Sequence, residues 1–88
     1  MKLSQVKKDK IAEQILSLLF HESPNLLFTA EISRETARDE EFIKTLLFEL
    51  RAKGLVTAIK KNPKGQFYSR RIRWRLSNQA YQAYSKHI

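Results

Sequence analysis

Cysteine is absent from the 88 residues, which removes disulfide frameworks, thiolate metal sites and cysteine nucleophiles from consideration. The absence fits an intracellular setting, and the expected location is cytoplasmic. Only two glycines and two prolines occur, too few for a disordered linker or a loop-rich scaffold. Apolar runs stop at three residues (Leu18 to Phe20, Leu26 to Phe28, Leu46 to Phe48), so no membrane partner is expected. The first residues interleave lysine with polar side chains, which is not the pattern of a signal peptide. There is no Gly-rich phosphate loop and no Gly-x-Ser-x-Gly elbow. His21 and His87 lack ligand-like neighbours at i+3 or i+4 and read as surface residues near helix ends. The reading is therefore not an enzyme, with no metal, no cofactor and no small-molecule ligand inferred.

What the chain does hold is apolar bulk and unevenly sorted charge. Hydrophobic residues make up 42% of it, including five Phe, three Tyr and Trp74, enough to build one domain over residues 1–88. The net charge of +8 is concentrated at the ends. Residues 1–10 carry a local +3 from Lys2, Lys7, Lys8 and Lys10 against Asp9, whereas residues 31–50 hold six acids and three bases. Residues 51–88 hold ten bases and no acid, nine of the ten between Arg51 and Arg75. Such sorting suits a polyanion facing one region while the acidic middle faces away.

Periodicity places the elements. Ile11, Ile15, Leu18 and Leu19 mark one face of a helix that starts at Ser4 or Asp9 and runs to Phe20, stopped by Ser23-Pro24-Asn25. Leu26-Leu27-Phe28 is a brief extended segment. Thr29 is the expected N-cap of a short helix from Ala30 to Thr36, with Ile32 inward. Asp39 caps a third helix whose buried stripe is Ile43, Leu46, Leu47 and Leu50, ended by Gly54. Leu55 to Ile59 reads as a strand, and Asn62-Pro63-Lys64-Gly65 has the residues of a type I turn. Beyond it, strict alternation from Phe67 to Leu76 puts Ile72, Trp74 and Leu76 on one face and Arg71, Arg73 and Arg75 on the other. Trp74 is expected to be buried. Ser77 caps a last helix on which Tyr81, Tyr84 and Ile88 share a side.

The order α-β-α-α-β-β-α, mainly α with a small β-hairpin, resembles a winged helix-turn-helix domain. The stretch from Phe28 to Val56, FTAEISRETARDEEFIKTLLFELRAKGLV, is similar to the helix-turn-helix of MarR-, PadR- and ArsR-type regulators. The stretch from Arg71 to Tyr84, RIRWRLSNQAYQAY, is similar to their wing strand and following helix. On that likeness residues 29–54 form the helix-turn-helix, 55–76 the wing hairpin and 77–88 the C-terminal helix, with no single family singled out. Two departures stand out: Ala37 and Arg38 replace the usual Gly and apolar residue of the turn, and Ala80 stands where the wing motif carries Gly.

The resemblance implies a sequence-specific binder of double-stranded DNA and a transcriptional regulator, with the third helix in the major groove and the wing on the backbone. The residues supply a strong wing and an equivocal helix. Lys60, Lys61, Lys64, Arg70, Arg71, Arg73 and Arg75 offer seven cations over sixteen positions, more than the defence of one strand edge requires. The third helix turns Glu41, Thr45, Phe48 and Ala52 away from its core stripe, with Lys44 at the edge. Such a face suits base edges better than phosphates. The alternative is a winged-helix interaction module that docks on a protein or an RNA-containing assembly through Phe48 and its neighbours. Tyr81, Tyr84 and Ile88 either pack back on Ile11 and Ile15 or form a two-fold homodimer interface, and the dimer is the reading favoured.

Overall fold

The computed structural model describes residues 4–59 and 72–86. Its element order is the expected one: α1 (Gln5–Glu22), β1 (Leu27–Phe28), α2 (Thr29–Thr36), α3 (Glu40–Ala52), β2 (Val56–Ile59), β3 (Arg73–Leu76) and α4 (Asn78–Ser85). The type I turn and Phe67 to Arg71 lie outside the described residues.

Side-chain caps set three helix starts. Ser4 Oγ accepts from the Lys7 N–H at 3.3 Å, Asp39 from the Phe42 N–H at 3.0 Å and Ser77 from the Ala80 N–H at 3.1 Å. Each satisfies one of the orphan donors that a first turn leaves open. Glu40 and Glu41 add negative charge at the positive end of the α3 dipole. At its other end Gly54 takes φ 77°, which lets the Leu55 N–H return to Leu50 O at 3.0 Å.

One expectation fails here. Helix α2 starts at Thr29 and its N-cap is Phe28, whose N–H donates to Glu31 Oε1 at 2.9 Å. Thr29 is thus not the cap. Its hydroxyl turns inward, where it has another partner described below.

The sheet has the order β1-β3-β2 with both pairings antiparallel. Strand β3 is therefore central: Trp74 sits between Leu27 of β1 and Ala58 of β2. The core gathers Ile11, Ile15 and Leu19 of α1, Ile32 of α2, the α3 stripe, and Ile72, Trp74 and Leu76. Trp74 is fully enclosed at 0% exposure, as its place in the alternation requires. The corner between β3 and α4 is tied down separately, with Ser77 Oγ donating to Gly54 O at 2.7 Å and the Ser77 N–H to Leu55 O at 3.0 Å.

Candidate nucleic-acid interface

The turn between α2 and α3 is the first component. Ala37 adopts φ 54° and ψ 43°, the left-handed conformation that glycine takes at no steric cost. The departure from glycine therefore leaves the turn geometry intact. Backbone bonds hold it, from the Ala37 N–H to Arg34 O at 3.2 Å and from the Arg38 N–H to Ser33 O at 3.1 Å. Ser33 Oγ also donates to Arg38 O. Arg38 emerges exposed from this turn, directly ahead of α3.

Helix α3 is the second component. Glu41 and Thr45 are exposed on its outer side, Lys44 is half-buried at the edge, and Ala52 is exposed. The Thr45 hydroxyl donates to Glu41 O at 3.0 Å, leaving its oxygen lone pairs available to a donor. The placement of Phe48 is corrected. It is half-buried and packed against the core, its ring edge-on to Trp74 with centroids 5.4 Å apart and planes at 85°. A helical wheel drawn for α3 alone turns Phe48 outward, but the sheet covers that flank. Glu49 is engaged too, accepting from Lys8 Nζ at 3.3 Å, so the N-terminal part of α1 lies beside α3.

The wing is the third component. Arg73 and Arg75 are half-exposed on the side of β3 opposite buried Ile72, Trp74 and Leu76. Arg75 Nη1 donates to Leu76 O at 3.0 Å. Lys60, Lys61, Lys64, Arg70 and Arg71 lie outside the described residues.

Sequence reasoning missed the link that joins these components. The indole N–H of Trp74 donates to Thr29 Oγ1 at 2.8 Å, a buried bond across 45 positions of sequence. A lone threonine directly after the apolar stretch Leu26 to Phe28 was the available signal. The tyrosines of α4 have an intramolecular partner in Phe20 of α1, with centroid separations of 5.2 Å to Tyr81 and 5.7 Å to Tyr84. Tyr81 remains 43% exposed, and Ile88 lies outside the described residues. The Tyr84 phenol is held above its ordinary pKa, first by burial and then by the charge of Glu13. Among the described residues, no group of three or more His, Asp or Glu side chains is placed to hold a metal ion. No described helix is long and apolar enough to cross a membrane.

No protein-family model and no curated protein sequence matches the chain. Solved structures do match it. ZitR of Lactococcus lactis, a zinc-responsive MarR family member, superposes with a TM-score of 0.68 at 20% identity, covering 99% of this chain and 52% of that one. MepR of S. aureus in a MepR–DNA complex gives a TM-score of 0.70 at 18% identity, over 91% of this chain and 65% of that one. A Ralstonia eutropha structure gives 0.68 at 14% identity, over 91% of this chain and 96% of that one. The chain thus spans roughly half to two thirds of the ZitR and MepR chains it matches. Likeness at such low identity is a likeness of backbone. Among the described residues, four helices, a three-stranded antiparallel sheet and a left-handed turn ahead of α3 give this chain the winged helix-turn-helix fold.

Proposed function

We propose that the chain binds double-stranded DNA as a transcriptional regulator, with α3 toward the major groove and the basic wing on the phosphates. The observation that carries this reading is the two-sided β3 strand. Its apolar side is locked into the core, while Arg73 and Arg75 stand on the other beside a helix-turn-helix. Their neighbours in sequence, Lys60 to Arg71, add five more cations and no acid. Arginine and lysine at that density serve phosphate neutralisation rather than catalysis, so the chain is read as a binder and not an enzyme. The similarity to MepR, whose structure was solved in a DNA complex, supports the same partner. Docking on a protein through Phe48 is the weaker reading, because that ring is partly spent on Trp74. A two-fold dimer remains part of the proposal: half-exposed Tyr81, with Tyr84 beside it against Phe20, would set two wings on one site.

Fluorescence anisotropy on duplex DNA at several salt concentrations tests the reading. With about 3–4 phosphate contacts per wing, the log–log salt slope is expected near −3 for one domain and about twice that for a dimer. Replacing Arg70, Arg71 and Arg73 together with Ala should weaken binding to all sequences and flatten the slope, because phosphate contacts carry no sequence information. A triple variant that binds as well as the parent at every salt concentration refutes the wing assignment.

A further inference from the structure

The Trp74 ring is held from three directions. Its backbone sits in the central strand between Leu27 and Ala58. Its N–H is fixed to Thr29 at the start of α2. Its edge-to-face partner Phe48 belongs to α3. Both helices of the helix-turn-helix and the strand bearing Arg73 and Arg75 are therefore referenced to one indole. We propose that Phe48 is a positioning residue for recognition: through its contact with Trp74 it sets the angle between α3 and the wing, and so sequence discrimination by the whole of α3. The proposal rests on the DNA-binding reading and adds to it the residue that couples the two contact surfaces.

The geometry separates this role from a direct base contact. Phe48 lies three residues beyond Thr45 and seven beyond Glu41 on α3, but unlike those two it is half-buried. An aromatic pair near 85° at 5.4 Å has a preferred orientation, whereas an aliphatic side chain fills space without one. Loss of the ring would let α3 pivot over the wing. Long, flexible cations tolerate such a pivot, so affinity for phosphates survives it. Base-edge hydrogen bonds do not tolerate it, since they need fixed distances and angles. A pivot degrades every position that α3 reads, while loss of one base contact degrades a single position.

The test compares the parent, Phe48→Leu and Phe48→Tyr in selection from a random duplex library, followed by anisotropy titrations on selected and scrambled duplexes. Phe48→Met stands in if the leucine variant does not fold, as judged by a cooperative melt and native Trp74 fluorescence. The expected result for Phe48→Leu is a fall of about 10-fold or more in the ratio of selected to scrambled affinity, within the range set by base-pair mismatches. That loss should be spread over all the positions preferred by the parent, with the salt slope unchanged. Phe48→Tyr, which keeps the ring, should restore the ratio to within about 2-fold of the parent. A change confined to one base pair, or an unchanged preference in Phe48→Leu, overturns the proposal and leaves the DNA reading intact. A parent that selects no duplex overturns the DNA reading and the proposal together.

Discussion

Replacing Thr29 with Val isolates the buried bond that ties the helix-turn-helix to the wing. The two side chains have nearly the same shape, so the substitution opens no cavity, and both are β-branched at the first residue of α2. What changes is chemical. Trp74 is 0% exposed and Thr29 9% exposed, with the indole N–H and the threonine oxygen 2.8 Å apart. In the valine variant that N–H stays buried without an acceptor, at a cost of about 1–3 kcal/mol. For a domain of this size each kcal/mol lowers Tm by roughly 4–8 °C, so a drop on the order of 10 °C is expected. Thr29→Ser keeps the acceptor and loses one methyl, about 0.8 kcal/mol, and should fall between the two. The decisive measurement is a double-mutant cycle with Trp74→Phe, read by urea and thermal unfolding followed by circular dichroism. In the phenylalanine background no N–H remains to be stranded, and Thr29→Val should become close to neutral, a coupling of about 1 kcal/mol or more. Equal costs in the two backgrounds, or a valine variant as stable as the parent, would refute the argument.

Ala37→Gly should raise stability by about 0.5–1 kcal/mol: it relieves roughly 1–2 kcal/mol of left-handed strain at φ 54° and gives back part of that as unfolded-state entropy. Thermal melts check it, and a lowered Tm would show that Ala37 is not strained. Tyr84 has a raised pKa in the folded state, from burial first and Glu13 second, so its contribution is complete below the ordinary phenol pKa of about 10 and is lost as pH rises through the higher folded value. The parent should therefore lose more Tm than Tyr84→Phe as pH rises above the ordinary phenol pKa of about 10, and identical pH profiles would count against this account.

Much of the molecule was legible without a structure, because local periodicity and capping chemistry act over a few residues. The stripe Ile43, Leu46, Leu47 and Leu50, the caps Asp39 and Ser77, the stop at Gly54 and the alternation that buries Trp74 all belong to single elements, and all are observed. The candidate site was legible to the extent that it is a property of one strand: Arg73 and Arg75 stand opposite the buried residues of β3 because side chains alternate along a strand. What only the tertiary structure decided involves two elements at once. Thr29 looks like a cap until Trp74 arrives from 45 residues away and claims its hydroxyl. Phe48 faces outward on a wheel of α3 but is half-buried once the sheet covers that flank. Tyr81 and Tyr84 share a stripe whose partner, Phe20, belongs to α1, far from them in sequence. Periodicity gives the direction of a side chain relative to its own backbone, whereas its partner is set by how the apolar faces of several elements close over one core, which no single segment encodes.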